Sequence, residues 1–533
     1  MNRYNQQQGY VLITVLIVTI VATLVALGGI AENRLQEQIG GNQQKEVNAR
    51  MLAEKGIFKS FSYIQDQNDL DSSLATIANG IPGRSNEGEF TLQDVSLSGT
   101  MLSFVSKGTY QGAVAYLNAK INVDSKQTIF ENGVVGCDGI DLSGSGKIDS
   151  YNSKNGQYGE NNNAHNASVM TINSNADVAL NGNAPIYGNI NVNGNFSSTG
   201  SSELIGNVNA VGNIDISGGG NNRLTGDFTA GGNLSVSGLE IGGNGTIGGD
   251  IDYHSDTKIN GSLTYGGSDI AGGDQSALAQ SVFKDPNLLL PDFNAPPCDP
   301  MNIASQMSGF SDFTSNGTMD TNHWETANRP YQFTPTNAEM YKKQGNKFSI
   351  DNKAAQSLDI LGEPTKVHVF DNLSVKNGTI NVSGGDVVLV IKGDLTTSGG
   401  GPRIDIAAGS SLTIYIEGKV NIGSSGQVVA HGSMTESGKP PVSIFSSYES
   451  ARANDVGISL AGATDMYASV YAPKSHVDVT GSGDILGAIR GKTVTISGAG
   501  GMHFDEALAD MPIETGIKNT AFASLHYYYP TYD

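Results

Sequence analysis

The sequence is short of basic residues, and this shortage excludes one large class of partner. Its 533 residues include 31 Lys and Arg against 52 Asp and Glu, which gives a formal net charge of −21. No cluster of Lys or Arg interrupts this acidic background. Because binding to nucleic-acid phosphates requires a basic surface, nucleic acid is not an expected partner.

The sequence also lacks the motifs of several enzyme classes. No G-x-S-x-G occurs, and none of the eight histidines belongs to an H-E-x-x-H motif. Residues 243–248 match G-x-G-x-x-G, but the GGDID that follows does not predict the helix that a dinucleotide-binding loop requires. Residues 487–493 fall one residue short of a phosphate-binding loop and lead into VTISG, a strand pattern. We therefore predict no enzymatic activity and no cofactor.

One long apolar run stands near the N-terminus. Residues 9–31 are almost entirely apolar, and no charge falls between Arg3 and Glu32. A helix of about 22 residues, with a rise of about 1.5 Å per residue, spans about 33 Å and can cross a bilayer. Residues 10–31 are therefore predicted to form a single transmembrane segment.

The sequence after this run predicts more helix and then a small sheet. Apolar residues recur at three- and four-residue steps up to about residue 66, as in an amphipathic helix. Glycine pairs at 28–29 and 40–41 indicate that the long helix is not uniformly stiff. EFTLQDVSLSG, TMLSFVSK and TYQGAVAYLNAKINV then read as three strands joined by glycine turns. Residues 32–130 are predicted to form an amphipathic helix with a small antiparallel sheet.

From residue 131 onward the sequence is rich in Gly and Asn, which tolerate the positive φ of tight turns. Paired Gly-Asn or Gly-Asp turns begin at Gly188, Gly206 and Gly226 and are echoed at Gly249, so they lie 18, 20 and 23 residues apart. Short strands between such turns predict a parallel β-solenoid with Val, Ile, Leu and Phe inside. A meander of hairpins would need longer strands.

A proline-rich segment divides the solenoid pattern into two parts. We predict solenoid over residues 131–275 and 367–533, and an irregular insertion over residues 276–366 that contains Trp324. The final HYYYPTYD predicts either a cap on the last turn or an exposed aromatic patch. The expected fold class is mainly β: an N-terminal helix, a small antiparallel sheet and a large parallel β-helix.

The N-terminus resembles the signal of type IV pilins and type II secretion pseudopilins. The leader MNRYNQQQG ends in Gly9 and precedes Tyr10 and a β-branched apolar run. In that family a prepilin peptidase cuts after the glycine, so the resemblance implies a leader of residues 1–9 and a methylated amine on Tyr10. Thr14 stands where most major pilins carry a Glu that pairs with a neighbouring subunit. In this respect the chain resembles minor pilins and the tip pseudopilin.

Two further stretches resemble PilX-like pilus assembly proteins. AENRLQEQIGGNQQKEVNARMLAEKGI resembles their N-terminal region, and residues 469–508 resemble the β-solenoid module that follows such anchors. GVVGCDGIDLSGSGKIDSYNS and PPCDP are similar to parts of the same module. The resemblance implies a minor pilin or pseudopilin, in pilus initiation or at the tip, whose helix packs with other pilins. It also implies a single-pass protein of the bacterial inner membrane with a periplasmic or extracellular soluble part, which is assembled into a pilus.

Two other functions remain open from the sequence. A surface or pilus-tip adhesin would use a solenoid face to bind a glycan or a host surface. Some β-solenoids instead cleave acidic polysaccharides with carboxylates, calcium and a basic residue, for which the candidates are Asp138, Asp141, Asp149, Asp478, Asp484 and Arg490. The same carboxylates could hold a structural calcium. We expect surface or stacked positions, not metal ligation, for His165, His254, His368, His431 and His476.

Cys137 and Cys298 are the only cysteines, and they are expected in a soluble part outside the cytoplasm, where disulfides persist. A bridge between them would join the first solenoid stretch to the proline-rich insertion. Closing a loop of about 160 residues is worth about 5 kcal/mol on the chain-entropy model. The alternative is two separate buried thiols.

Overall fold

The chain divides into two compact units. Unit 1 comprises Met1–Gln127 and Ile517–Asp533, and unit 2 comprises Thr128–Gly516. Unit 2 is thus inserted in sequence between two parts of unit 1. The computed structural model describes residues 7–66, 83–85, 88–98, 101–123, 129–159, 161–254, 256–268, 282–290, 293, 295–321, 330–344, 347–360, 363–399, 401–423, 425–432, 434–452, 454–462, 465–510 and 523–528.

Unit 1 consists of one long helix and an antiparallel sheet. Helix α1 (Gln7–Asp66) has 60 residues, about 90 Å at 1.5 Å per residue, and it continues through both glycine pairs. The sheet contains β1 (Gly83–Ser85), β2 (Gly88–Ser98), β3 (Met101–Tyr110) and β4 (Ala113–Val123) in sequential order. The predicted helix and three-stranded sheet are confirmed, with β1 as an additional edge strand.

The last strand of the chain belongs to the sheet of unit 1. This C-terminal strand (Ala523–Tyr528) pairs antiparallel with β4, for example Leu525 with Ile121. The expected cap on the last solenoid turn is therefore wrong, because the closing strand covers the edge of β4 instead. An uncovered strand edge would leave backbone groups unpaired, which gives this pairing its physical reason. The alternative of an aromatic patch concerns side chains outside the described part.

The first solenoid stretch, winding 1, is a parallel β-helix as predicted. Successive turns pair in register, so that Ile190, Val208 and Phe228 stack as buried residues. Its strands are β5 (Val134–Leu142), β6 (Ile148–Tyr151), β7 (Val169–Thr171), β8 (Asp177–Leu180), β9 (Ile186–Tyr187), β10 (Ile190–Val192), β11 (Phe196–Ser198), β12 (Glu203–Ile205), β13 (Val208–Ala210), β14 (Ile214–Leu224), β15 (Phe228–Ala230), β16 (Leu234–Ile241), β17 (Gly245–Ile247), β18 (Ile251–Tyr253), β19 (Lys258–Ile259), β20 (Leu263–Tyr265) and β21 (Val282–Lys284).

Amide and carboxylate side chains at the corners link one turn to the next. The backbone N–H of Asn207 donates to Oδ1 of Asn189 at 3.0 Å, and that of Asp227 donates to Asn207 at 2.9 Å. The N–H of Asn244 then donates to Asp227 at 2.7 Å. A second column of the same kind runs through Asn195, Asn213, Asn233 and Asp250. The corner side chains thus accept hydrogen bonds from backbone N–H groups that the short strands leave unpaired.

These contacts correct the repeat spacing expected from the sequence. The turn after Gly226 is continued by Gly243 and Asn244, 17 residues on, and not by Gly249 at 23 residues. Gly249 and Asp250 belong to the second column and follow Asn233 by 17 residues. The two columns have the same local sequence, so the pattern alone assigned Gly249 to the wrong one.

The second solenoid stretch, winding 2, begins earlier than predicted. Residues 276–366 were expected to be irregular, but Met319 and Tyr331 pair in parallel with Leu373 and Ile380 of the next turn. Its strands are β22 (Met319–Asp320), β23 (Tyr331–Phe333), β24 (Asn337–Gln344), β25 (Lys347–Ala354), β26 (Gln356–Ile360), β27 (Glu363–Phe370), β28 (Leu373–Val375), β29 (Thr379–Val382), β30 (Asp386–Ile391), β31 (Leu395–Thr397), β32 (Arg403–Ile406), β33 (Ser411–Ile416), β34 (Val420–Ile422), β35 (Gln427–Ala430), β36 (Val442–Ser446), β37 (Val456–Gly462), β38 (Met466–Gly481), β39 (Ile485–Gly498) and β40 (Met502–Asp505).

The two windings stack in an order that the sequence does not show. β39 and β40, the last strands of winding 2, pair in parallel with β5 and β6, the first strands of winding 1. We call this junction the seam. The chain therefore enters the stack at the seam, winds away from it, and returns to complete the stack from the other side.

Residues 295–321, here called the strap, carry the chain along the solenoid from the seam to the first strand of winding 2. It contains helix α2 (Ile303–Met307) and a 3-10 helix (Ser308–Asp312), and it ends in β22. Met301, Ile303 and Met307 of the strap are buried in the main hydrophobic core. This part of the insertion therefore packs against the solenoid, while Trp324 lies outside the described residues.

Candidate functional site

The first half of α1 exposes its apolar side chains. Between Tyr10 and Ile30 every large apolar side chain is exposed by 51% to 77%. Within the described residues, one helix is long and apolar enough to cross a membrane, and this segment supplies its apolar part. Exposed apolar area of this extent is costly in water, so the segment requires a lipid or protein environment.

The predicted processing residues lie in the first turns of this helix. Gly9 and Tyr10 are helical, two and three residues after Gln7, where α1 begins. The Thr14 hydroxyl donates to the carbonyl oxygens of Tyr10 and Val11, each at 3.0 Å. Because Thr14 satisfies its hydroxyl within its own helix, it needs no partner subunit, whereas a buried carboxylate would.

The second half of α1 packs on the sheet at very short range. Ala49, Ala53 and Ile57 are fully buried against strands that contribute Leu102 and Phe104. A Cβ atom on Gly108 of β3 would lie 2.0 Å from the Ala49 carbonyl oxygen, so glycine is required for this approach. The Ser106 hydroxyl donates to the Ala53 carbonyl oxygen at 2.7 Å. Small residues on both elements therefore hold the helix backbone directly on the strand.

A second apolar stripe on α1 is exposed. Leu35, Ile39, Val47, Met51 and Phe58 are 48% to 61% exposed. At about 100° per residue, Val47, Met51 and Phe58 share one side of the helix and form the stripe, whereas Leu35 and Ile39 lie N-terminal to the buried residues on the side that packs on the sheet. A helix with one apolar face on its own sheet and another in solvent offers that second face to a partner helix.

The carboxylates considered for catalysis or calcium are distributed over the solenoid. Asp138 accepts a hydrogen bond from Asn173 at 2.6 Å. Asp478 and Asp141 lie in one outward column, with Thr495 between them across the seam. Asp149 and Asp484 are brought together, but by a histidine that the sequence analysis did not single out.

That histidine, His503 in β40, lies between two carboxylates at the seam. Its Nδ1 contacts Asp149 of β6, and its Nε2 lies 3.3 Å from Asp484. The Lys147 ammonium is 2.6 Å from Asp149, and the Tyr158 ring stacks on the imidazole at 3.8 Å. The His503 and Asp149 side chains are only 3% and 2% exposed.

The charges in this cluster support one another. Burial lowers the pKa of His503, but hydrogen bonds and charge interactions with Asp149 and Asp484 outweigh burial, so the pKa is raised. The hydrogen bond to His503 holds the pKa of Asp484 below its usual value. Burial likewise opposes the charge of Lys147, yet its contacts with Asp149 and Tyr158 raise its pKa. The cluster is therefore a set of buried ion pairs that crosses the seam.

The occupied ring nitrogens leave His503 no position from which to ligate a metal or accept a substrate proton. Among the described residues, no group of three or more His, Cys, Asp or Glu side chains is arranged to hold a metal ion. The sequence offered no signal for this cluster, since 354 residues separate His503 from Asp149. The five histidines named from the sequence lie apart: His165 against Tyr187, His254 beside Asp256, His368 at the Thr334 carbonyl, His431 beside Asp405 and His476 beside Thr493.

The two cysteines and Arg490 meet where the strap crosses the seam. Cys137 of β5 and Cys298 of the strap form a disulfide with a Cα–Cα distance of 5.6 Å. Arg490 of β39 is 1% exposed, and its Nη1 donates to the carbonyl oxygens of Pro297 and Cys298 at 3.1 and 3.3 Å. Arg490 therefore acts as a buried tether for the strap and not as a free catalytic cation.

The two glycine-rich near-motifs are solenoid strands. Gly245–Ile247 is β17 within residues 243–248, and residues 487–493 lie inside β39. Neither is followed by a helix, so neither presents the helix N-terminus that binds phosphate groups.

Comparison with known proteins gives one family match. A family model described as a domain of unknown function, DUF7305, matches residues 327–511, which include β23 to β40 of winding 2. No curated protein matches the chain. Among solved structures, the chain is similar to the competence-associated pilin ComZ from Thermus thermophilus, at 12% identity and a TM-score of 0.22. That match covers 91% of this chain and 98% of the ComZ chain. A TM-score this low carries no inference about fold or function.

Proposed function

We propose that this chain is a minor pilin or pseudopilin-like component of a type IV pilus, acting in pilus initiation or at the tip. Its role would be structural and not enzymatic, with the acidic solenoid as the displayed part. The observation that carries the proposal is a difference between the two halves of α1. The second half packs on its own sheet, whereas in the first half every large apolar side chain from Tyr10 to Ile30 is exposed.

The proposed partners follow from the same helix. The apolar segment from Tyr10 to Ile30 would lie in the inner membrane before assembly and among the helices of other pilins afterwards. The stripe formed by Val47, Met51 and Phe58, together with the exposed Leu35 and Ile39 before it, would continue that contact beyond the membrane. A prepilin peptidase would remove residues 1–9, and the soluble part would be periplasmic or extracellular. Thr14, with its hydroxyl satisfied inside the helix, suits a subunit that pairs with no neighbouring amine.

The first test is the intact mass and N-terminal sequence of the protein from native membranes and from sheared pili. The proposal expects a mature chain that starts at methylated Tyr10 and is present in the pilus fraction. A chain that starts at Met1 and occurs only in membranes would contradict it. A Gly9→Val variant should remain unprocessed, while the neighbouring Gln8→Val variant should be processed normally.

Two substitutions test assembly separately from folding. Met51→Glu places a charge in the exposed stripe, where the side chain is 61% exposed, so the fold should persist while incorporation into pili falls. Arg50→Glu, on the preceding residue, is the matched control and should assemble normally. Thr14→Glu should alter assembly or pilus number, and a Thr14→Glu strain with wild-type pili would count against the initiating or tip position.

Loss of surface attachment with a normal number of pili would instead favour the adhesin alternative. In that experiment a strain lacking the solenoid is compared with the wild type. Equal attachment by both strains would leave the structural role as the function.

A further inference from the structure

The seam is a joint between the windings with no chain connection through it. Within each winding, the chain continues from one turn to the next. At the seam, the chain instead begins winding 1 at β5 and ends winding 2 at β40, so the turns on either side are hundreds of residues apart. Backbone pairing and side-chain contacts alone hold the two turns together there.

A column of outward-facing side chains, all apolar except Arg490, crosses this joint. Strand register places in one line Val390, Tyr415, Phe445, Tyr471, Arg490, Val135 and Met170. The next positions are Asn191, Asn209 and Thr229. Apolar side chains on the outer face of a β-helix require a cover, and the column becomes polar one turn beyond the seam. The strap provides that cover.

The strap is bound to winding 2 by well-defined contacts. The ring of Phe310 meets that of Tyr415 edge-on, with centroids 5.5 Å apart. The Tyr471 hydroxyl donates to Asp299 at 2.7 Å and accepts from the Met301 N–H at 3.2 Å. Farther along, the Lys392 ammonium donates to the Phe313 carbonyl oxygen at 2.8 Å. The strap thus follows winding 2 up to the seam.

One strap residue connects both sides of the seam. The carbonyl oxygen of Cys298 accepts from Arg490 of winding 2, while its sulfur is bonded to Cys137 of winding 1. Around this bond Val135, Cys137 and Ile172 form a small apolar cluster against which Cys298 packs. Cys298 is half-buried, whereas Cys137 is buried.

We propose that the Cys137–Cys298 disulfide is a redox-sensitive clasp that holds the two windings together at the seam. Thiol–disulfide exchange with a dithiol breaks the S–S bond, and each cysteine gains one electron and one proton while the dithiol becomes a disulfide. The strap then has no covalent bond to winding 1 and keeps only its apolar contacts there, and the pairing between β5 and β39 opens locally. A thiol–disulfide oxidoreductase would supply the oxidising disulfide that closes the clasp. The proposal goes beyond a filament role and does not depend on it.

Hydrogen–deuterium exchange on the full chain in detergent micelles tests the clasp. Oxidised protein is compared with protein treated with dithiothreitol, and loss of the bond is verified by mass after alkylation. We expect reduction to speed exchange about tenfold or more in β5, β39 and residues 295–301, because local opening determines exchange rates. Turns far from the seam, β15 to β17 and β30 to β33, should keep their rates within about twofold.

Two results would overturn the proposal. Unchanged exchange at the seam would show that the other contacts suffice, and equal acceleration in every turn would show general stabilisation without a clasp. A Cys137→Ser/Cys298→Ser variant should reproduce the reduced pattern, and dithiothreitol should add nothing to it. If that variant does not fold, reduction of the folded wild type still provides the comparison.

Discussion

His503 and Asp149 form a buried ion pair although 354 residues separate them in the sequence. The pair exists because the last turn of winding 2 stacks on the first turn of winding 1. The presence of this ion pair therefore indicates that the seam has formed, because no local sequence feature brings the two residues together.

Replacing His503 by Gln should destabilise unit 2 by about 1–3 kcal/mol, because Asp149 and Asp484 lose the cation that they share, while Lys147 remains beside Asp149. The measurement is denaturant unfolding of the full chain. His254→Gln is the matched control: His254 also pairs with a carboxylate, but its side chain is 65% exposed, so the change should stay below about 1 kcal/mol. Equal effects of the two substitutions would contradict a special role for the buried pair.

The pH dependence of stability should identify the same histidine. The folded pKa of His503 is raised above its ordinary value, so its contribution is fully present below about pH 6.5. This contribution is lost as the pH rises through the folded pKa. The folded pKa of Asp484 is lowered, so its contribution is lost as the pH falls through that value. Unfolding free energies of wild type and His503→Gln should thus converge at alkaline pH, and parallel curves would refute the assignment.

Gly108→Val should separate α1 from its sheet. The new Cβ would lie 2.0 Å from the Ala49 carbonyl oxygen and 2.5 Å from the Ala53 nitrogen, and backbone atoms cannot yield as a side chain can. We expect a loss of about 1–3 kcal/mol from overpacking, seen as faster hydrogen exchange in residues 46–60. The control is Thr109→Val, which exchanges one β-branched side chain for another at the next position, where the residue is half-buried and outward, and it should leave exchange unchanged.

The corner column of winding 1 can be tested with two substitutions at Asn213. Its Oδ1 accepts from the Asn233 N–H at 2.7 Å, so Asn213→Ala removes an acceptor and should cost about 1 kcal/mol. Asn213→Asp keeps the acceptor, as Asp227 does for Asn244, and should be close to neutral. Thermal unfolding of both variants supplies the comparison, and equal losses would show that the hydrogen bond is not the stabilising feature.

Tyr471→Phe should loosen the strap. It removes the donor to Asp299 and leaves the Met301 N–H buried without its present acceptor, at a cost of about 1–3 kcal/mol. Limited proteolysis should then cut within residues 295–313 sooner than in the wild type. Cleavage at the wild-type rate would mean that apolar packing of Phe310 and its neighbours suffices to hold the strap.

The helices and strands whose sequence pattern lies within a short stretch could be predicted from the sequence. The apolar run at 10–31, the three strands of the first sheet and the short strands between Gly-Asn turns each have a pattern within a few residues. The winding order could not be predicted, because the pairing of Thr493 with Gly139 joins residues whose surroundings resemble every other turn. The same uniformity caused the wrong placement of Gly249, and the pairing of the C-terminal strand with β4 likewise has no local signal.

For the candidate functional residues too, contacts between distant parts of the sequence could not be predicted. A bridge between Cys137 and Cys298 was one of two possibilities from the sequence, the other being two separate thiols, and the structure has the bridge. Asp149, Asp484 and Arg490 were named for a catalytic or calcium role, but their neighbours are His503 and the strap carbonyls. Asp149 contacts a residue 354 positions away and Arg490 one 193 positions away, so no local pattern reveals what these two side chains do.

The insertion of unit 2 between β4 and the C-terminal strand also determines when the chain can finish folding during synthesis. β4 emerges early, yet its partner strand is among the last residues to be delivered. β5 and β6 likewise wait for residues 485–505 before their open edge is covered. A chain stopped short of this region therefore carries two unpaired β edges, one in each unit, and each is a template for aggregation. Delivery of residues 485–528 closes both edges and ends the period in which the chain is exposed to this risk.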